Sequence, residues 1–583
     1  MIISKKAIYT EGVTKHSFRV SMSFHIDCLK IQNSLLQSLQ IMKKTMILSA
    51  FALFFFSINT TAQKSGDLYD GSYVHDIRIT FDQSKWMDLL DSNRINGDEM
   101  VIGKVQIDGT NYENVGISYA KNYTHQLGGK RNPWLLKLNL IDKKQNHQGL
   151  KTLTMSQALR DPSLVREVLG YEIVRKYMIA PRADYVNLTV NNENKGIYVN
   201  IEAIDETFLQ KNFGGTEGGI RTAFRCVPDT RGMGQTDCES GVFGALKYEK
   251  NAKCYLRNFD MLSKEGWDDL IEMTRVLNTE PQNVGKVLNI DRTLWFLAFN
   301  NTIANLSSYE GQFSNNYYLA RDASGQFNFI PTELNYAFGS FKNTNGQSDL
   351  DFDGLVALNP LLHVDNAAKP LISVLLKTPD NRRIYFAHVR QILADWFDNN
   401  AYQTRAMALQ ALITPYYNNT AEKPYELADF QRSLTETVGK TTKIPGIVEL
   451  MSKRAKFLKK QSDLLNIPPQ ISNINFSNRQ KFTTKSVGEF HVKAKVDNFP
   501  RHVRLMYRPA GSTETFTEQT MFDDGKNHDG EAGDKVFGTV VQPQGKFVAI
   551  EFYIIAENAG AATFEPANYI TEYRKISLAE LNK

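Results

Sequence analysis

Cysteine is scarce in this chain: four in 583 residues, at positions 28, 226, 238 and 254. No pair has CxxC spacing and no histidine stands near them at ligand spacing, which argues against a zinc finger or ribbon. Cys226, Cys238 and Cys254 fall in one stretch. In an oxidising compartment one disulfide is expected there, with Cys226–Cys238 the simplest pairing and one thiol left over; unpaired structural cysteines are an equal alternative. Also missing are HExxH, GxSxG and a phosphate-loop GxxxxGK[ST]. Zinc peptidase, α/β-hydrolase and Walker-type chemistry are excluded with them. The ten histidines are scattered. Long apolar runs are absent except for Met46–Ile58, which is short of the ~20 residues of a membrane helix.

Charge of one sign is missing from the body of the protein. The formal net charge is +5, and all of that excess lies before Gln63. Lys5, Lys6, Lys15, Arg19, Lys30, Lys43 and Lys44 face only Glu11 and Asp27 there. A basic surface for nucleic acid has no footing in the remainder. What is present is ordinary globular composition: 42% hydrophobic, 11% aromatic and 22% charged. The length suits roughly three domains.

The front of the chain carries an address. Lys43-Lys44, the apolar run Met46–Ile58 and the small-residue stretch Asn59–Gln63 have the order of a secretory signal, with cleavage expected after Ala62. Residues 42–62 are therefore expected to be a signal peptide starting at Met42, and residues 1–41 an over-extension ahead of it. The expected destination is periplasmic, cell-surface or extracellular, with no transmembrane span in the mature chain.

Beyond the leader, periodicity divides the chain into a main domain over 63–465 and a second over 467–583. Val74, Ile77, Ile79 and Phe81 alternate as a strand, Trp86, Leu89 and Leu90 suggest a short helix, and Val101–Ile107 alternates toward the turn Asp108-Gly109. Trp134–Leu140 reads as a buried strand carrying one cation, Lys137. Asp161-Pro162-Ser163 is expected to start a helix that stops near Ala180-Pro181. Tyr185–Val190 and Ile197–Ile201 flank a polar turn over 191–196. Helical patterns follow at Trp267–Leu277, Arg292–Asn305, Leu371–Lys377, Ile384–Phe397 and Ile447–Leu465. The fold class is α+β, with a β-rich lobe at about 70–205 and a helical lobe at about 255–465. After the stiff Asn466-Ile467-Pro468-Pro469, period-two stretches around Val492, Val503 and Ile550 predict a small all-β sandwich.

Several segments, taken in order, carry a family resemblance. They are Val115-Gly116, Trp134–Leu138, the helix Leu164–Arg175, the Gly196-x-Tyr198-x-x-x-Glu202-x-x-Asp205 hairpin, Asn315-Asn316-Tyr317-Tyr318-Leu319, Phe329-Ile330-Pro331 and Phe338-Gly339. As an ordered set over about residues 70–465 they resemble the spore-coat protein H (CotH) kinase-like family. The resemblance implies an atypical protein-kinase-like fold binding ATP with Mg²⁺ or Mn²⁺ between two lobes, and phosphorylation of hydroxyls on envelope or secreted proteins. Such chemistry needs a cation on the phosphates, oxygens for the metal and an acceptor for the hydroxyl proton. Lys137, and Lys121 as a displaced cation, are the phosphate candidates. Glu167 or Glu172 is the partner of Lys137, Glu202 lies where the resembled fold joins its lobes, and Glu333 and Asn335 are the metal candidates.

The chain departs from the family pattern at three places. Arg-x-Lys-Gly-Asn becomes Ser118-Tyr119-Ala120-Lys121-Asn122, Asn-x-Asp becomes Asn305-Leu306-Ser307, and Pro-Trp-Asp-Leu-Asp (or Asp-Leu-Asn) becomes Pro331-Thr332-Glu333-Leu334-Asn335. Serine does not replace a carboxylate as proton acceptor. An active kinase and a catalytically impaired scaffold or adhesion protein therefore both stand as readings. A glycan-processing role would use the aromatic content, but no carboxylate pair is placed for it. The C-terminal segment Asp523–Asp534 resembles an acidic loop of immunoglobulin-like modules. Asp523, Asp529 and Asp534 are its Ca²⁺ candidates, with a tight hairpin built on Asx-turns as the alternative.

Overall fold

The computed structural model describes residues 66–581, except 98, 122–123, 217–218, 227–237, 239–242, 347, 422, 479–488, 513–514 and 543–547. The leader and the expected signal peptide lie outside these residues. The fold mixes helices and sheets and ends in an all-β region. Among the described residues no helix is long and apolar enough to cross a membrane.

Strands β1 (His75–Thr80), β2 (Val101–Ile107), β3 (Thr110–Tyr119), β4 (Trp134–Lys137), β5 (Thr152–Ser156), β6 (Ala183–Val190) and β7 (Glu193–Glu202) close into a barrel in the order β1-β2-β3-β4-β5-β7-β6. The seam is the one parallel pair of the barrel, Ile77 of β1 opposite Leu188 of β6. Alternation explains the closure: Ile77, Ile79, Val105, Ile107, Val115, Ile117, Leu136, Leu153 and Leu188 point inward into one apolar cluster. Asp108-Gly109 makes the expected turn with φ of 46° and 88°. The hairpin β6–β7 turns on Asn191-Asn192 alone, φ 46° and 67°, so β7 begins at Glu193 rather than Ile197. A bulge at Leu188/Thr189 absorbs the extra residues. Strand β4 stops at Lys137 rather than Leu140, and Lys137 is exposed.

The expected helix start at Asp161 is displaced. Leu164 adopts φ 57°, which breaks the helical path, and the helix runs Arg166–Arg175. Asp161 still caps it from outside: Oδ2 accepts the Arg166 N–H at 2.7 Å, and Oδ1 accepts the Ser163 hydroxyl. The helix is buried on nearly every side. It leads from the barrel into the main core, where strands β10 (Ala223–Cys226), β11 (Phe259–Met261), β12 (Tyr317–Arg321) and β13 (Phe327–Pro331) form a sheet of order β11-β10-β12-β13. A short hairpin, β8 (Gly215–Thr216) with β9 (Gly219–Ile220), precedes that sheet.

The helices Trp267–Thr279, Ile290–Thr302, Pro370–Leu375, Pro379–Ile392 and Ile447–Leu458 overlap the expected stretches, with the fourth starting five residues early and the last ending at Leu458 before a short helical turn, Ser462–Leu465. Ala401–Asn419 is an additional helix, with Pro415 inside. The disulfide joins Cys238 to Cys254 with Cα atoms 5.8 Å apart. This corrects the Cys226–Cys238 pairing, because Cys226 is held on β10, buried, with its thiol turned to the Ser314 carbonyl.

The C-terminal region holds two sheets with a shared apolar core. One is β14 (Gln470–Asn478), β15 (Phe490–Asp497) and β18 (Val536–Val541). The other is β16 (His502–Pro509), β17 (Thr517–Met521), β19 (Ala549–Glu557), β20 (Ala562–Glu565) and β21 (Arg574–Ser577). It packs directly on the helices. Tyr553, Ile555, Phe564 and Tyr569 belong to the main core, the Trp295 indole N–H donates to the Tyr569 hydroxyl, and Arg383 pairs with Glu557 at 3.0 Å.

Candidate functional site

Glu167, in the first turn of the helix Arg166–Arg175, faces the segment that follows β13. It is 1% exposed, and neither carboxylate oxygen accepts a hydrogen bond. The Ser156 hydroxyl at the end of β5 and the Asn335 N–H stand beside it without closing one. Burial, and after it the neighbouring Glu333 carboxylate, hold the Glu167 carboxyl well above the usual range. Asn335 is fully buried; its amide donates to the Leu159 carbonyl at 2.7 Å while Oδ1 accepts nothing. Tyr171, one turn beyond Glu167, brings a buried hydroxyl toward Thr332. The expected candidates Glu167, Glu333 and Asn335 are therefore brought together.

The backbone around them is held in a rare region. Ala158 (φ 53°), Arg160 (66°), Leu164 (57°), Asn316 (57°) and Glu333 (56°) are all left-handed without being glycine. Each such residue costs of order 1–3 kcal/mol and persists only where surrounding contacts enforce it, which is the habit of functional sites. The enforcement is visible here. Arg166 donates to Asp161 at 2.8 Å, to the Ala337 carbonyl at 3.1 Å and to the Pro445 carbonyl at 2.5 Å, tying the glutamate helix to two distant loops.

Ser307 sits where the family pattern has a carboxylate. Its hydroxyl accepts the Asn316 amide at 2.7 Å, and the Asn316 carbonyl accepts the Thr332 N–H, so the serine joins the site through one residue. Tyr336 and Tyr318 lie within electrostatic reach of Glu333; Arg160 stands near Tyr336 and donates to the Ser340 carbonyl at 3.0 Å, and Tyr318 neighbours Arg225. Lys121 reaches this edge through its backbone, its carbonyl accepting Arg225 at 2.5 Å. Leu159 and Arg160 also line a cavity of about 710 Å³ together with Lys423, Tyr425, Lys440 and Thr442. That volume is in the range of small-molecule sites. A larger cavity, about 1170 Å³, lies elsewhere against β12 and the helix Trp267–Thr279. Two of its charges are engaged locally, Arg321 with Asp269 and Asp205 with the Phe208 N–H.

The other expected residues lie outside the cluster. Lys137 is exposed at the far end of β4, opposite Thr152, while Ser156 beside Glu167 is about 13 Å further along β5. Glu202 forms a bidentate pair with Arg182, at 3.0 and 3.1 Å, next to Tyr69. Glu172 is held by Arg405 at 2.6 Å. In the C-terminal loop every candidate aspartate serves the backbone: Asp529 accepts the N–H groups of Asp524, Gly525 and Asn527, Asp523 those of Gly533 and Lys535, and Asp534 those of Glu531 and Val536. Burial would raise the Asp529 carboxyl, but these bonds outweigh it and lower it. The geometry is that of the tight hairpin, and the three aspartates do not gather as a metal cluster.

Arg160 and Arg225 had no motif to announce them, while Asn316 and Tyr171 lay inside quoted segments without being singled out. The strongest available sign was the Asp161-Pro162-Ser163 turn beside Arg160. The oxygens of Glu167, Glu333 and Asn335, two of these residues buried without donors, suit a hard divalent cation such as Mg²⁺ or Mn²⁺.

Comparison with known proteins agrees with the ordered motifs. Inner spore coat protein H of Bacillus subtilis (strain 168) is 24% identical over 333 residues, covering 54% of this chain and 80% of that protein. A solved structure, the crystal structure of a Br derivative of BhCBM56, aligns with 15% of this chain and 78% of its own at 13% identity, with a TM-score of 0.11, and supports nothing about the fold. The family model described as CotH kinase protein matches residues 124–458, more than half of the sequence and all of the cluster around Glu167, and the chain belongs to the CotH family.

Proposed function

We propose that this protein binds a divalent cation together with nucleotide phosphates at Glu167, Glu333 and Asn335, on a two-lobed kinase-like fold with the barrel as one lobe. The observation that carries the reading is the set of donor-less buried oxygens on Glu167 and Asn335 beside a second carboxylate. A buried carboxylate left without partners is costly, and a bound cation removes that cost. Glu333 and Asn335 would hold the ion and Glu167 would face it. The ion, when bound, would supply charge neutralisation on transferring phosphate oxygens. Arg160, which lines the 710 Å³ cavity beside Tyr336 and donates to the Ser340 carbonyl, is the candidate phosphate cation.

The leader of Lys43-Lys44 and Met46–Ile58 together with a disulfide suits an exported protein, and envelope or secreted proteins are then the expected partners. The C-terminal sheets, read as an immunoglobulin-like module, would serve attachment or spacing.

A second reading, a kinase-shaped scaffold without phosphotransfer, is favoured by Ser307. Its hydroxyl is engaged by Asn316, and no carboxylate occupies that position to accept a substrate proton.

The test is calorimetry of ATP binding with and without Mg²⁺ or Mn²⁺, followed by phosphate transfer onto secreted proteins. Metal-dependent binding that is lost in Glu333→Gln and Asn335→Ala, weakened in Arg160→Ala and intact in Lys137→Ala is the expected result. No binding by a folded sample rejects the nucleotide reading. Binding without transfer selects the impaired scaffold.

A further inference from the structure

At the barrel seam, outside the glutamate site, three side chains from separate segments come together. Asp70 precedes the barrel, His75 opens β1 and Asp184 lies on β6. One ligand atom from each lies within 4.8 Å of the other two. Donors around a single Zn²⁺ at 2.0–2.1 Å have edges of roughly 3.3 Å, so a small closure completes the set.

His75 supplies the independent sign. Its Nδ1 meets Asp108 Oδ2 at 2.6 Å, and Asp108 is itself fixed by accepting the Asp76 N–H at 2.9 Å. That contact places the ring proton on Nδ1 and the lone pair on Nε2. Nε2 is buried, on a residue 1% exposed, and has no hydrogen-bond partner. A buried ring nitrogen left without a donor, on a histidine clustered with two carboxylates, suits a cation held among them.

The carboxylates are also held in place. Asp184, fully buried, accepts the Gly71 and Tyr185 N–H groups at 2.7 Å, one on each oxygen, which leaves lone pairs on both. Asp70 is oriented by the N–H and hydroxyl of Ser72 at 2.8 Å. The neighbouring cation, Arg405, is committed to Glu172.

We propose that Asp70, His75 and Asp184 form a site for a divalent transition metal of the zinc class, with Asp108 positioning the histidine from behind. An imidazole with two carboxylates suits Zn²⁺ better than the all-oxygen shells of Mg²⁺ or Ca²⁺. A carboxylate on the far ring nitrogen is the usual support of a metal-bound histidine. Asp70 is exposed, which gives the ion a path from solvent and leaves a position for water. The ion would pin the segment before β1 to the parallel seam where β1 meets β6.

The experiment titrates Zn²⁺ into the EDTA-stripped full chain by calorimetry, with Co²⁺ absorption as a report on the ligand shell. One equivalent bound below micromolar Kd is expected. Asp184→Asn and Asp70→Ala should weaken it at least tenfold, and Asp108→Asn by about 10–100-fold. Asp70 is exposed, so its variant keeps the fold even if changes at His75 or Asp184 do not. Absence of stoichiometric binding, or a Kd unchanged in Asp70→Ala and Asp184→Asn, overturns the proposal.

Discussion

Two groups of acids in this chain look alike on paper and opposite in space. In the C-terminal loop, Asp523, Asp529 and Asp534 each accept backbone N–H groups, and those bonds shape the loop. Around the helix Arg166–Arg175, Glu167 is buried with no donor on either oxygen and a second carboxylate beside it. Acids with donors stabilise their own segment, whereas acids without them are sustained by the rest of the protein and suit a cation brought from outside. Asp161 is a third case: as buried as Glu167, but paired with Arg166.

The sharpest way to break this contrast is to remove the frame that sustains the uncompensated acid. Arg166→Met leaves Asp161 buried and unpaired and frees two loop carbonyls. It should cost about 3–5 kcal/mol, read from the urea midpoint by tryptophan fluorescence. A loss under about 1 kcal/mol would mean that the strained backbone around Glu333 holds itself. Asp529→Ala comes next. Three backbone N–H groups lose their acceptor in a loop that water partly reaches, so about 2 kcal/mol should be lost from the C-terminal region.

These contrasts were only partly legible in the sequence. Apolar patterning and turn residues placed β1, β2, β4, β6 and β7, but not β5, and β3 was touched only through Val115-Gly116. They could not show that the barrel closes through a parallel β1–β6 seam, since pairing depends on partners about 110 residues apart. Glu167, Glu333 and Asn335 were found through a family pattern, not through chemistry visible locally. Arg160 and Arg225 were missed because their roles come from tertiary placement, and Asn316, though inside a quoted motif, was not singled out because its bond to Ser307 is tertiary. Lys137 misled because a lone lysine in an apolar run looks inward. Its strand ends there, and the side chain leaves the barrel. The metal cluster at the seam was invisible for the same reason as the seam itself.

A smaller effect sharpens the contrast by its sign. Glu333→Gln removes the like charge beside Glu167, so without added metal the protein should gain about 1–2 kcal/mol, while losing metal-dependent ATP binding. Stability and binding moving in opposite directions would mark Glu333 as a functional acid. A loss of stability would place it with Asp529.

The smallest expected effect extends the same logic to a base. His363 Nε2 lies 3.0 Å from the Glu310 carbonyl, and burial, followed by the nearby Lys369 ammonium, pushes its pKa down from 6.5 to about 4. The unfolded chain binds a proton near pH 6.5 that the native ring refuses until about pH 4. Acidification through that window therefore favours unfolding, and the stability returns above pH 6.5. The loss between pH 6.5 and 5.5 should be at most about 1 kcal/mol, and His363→Gln should flatten it. A midpoint that stays level in the wild type over that unit of pH would mean that His363 accepts its proton in the folded protein, with Lys369 too far or too well paired to Gly311 and Tyr309 to oppose it.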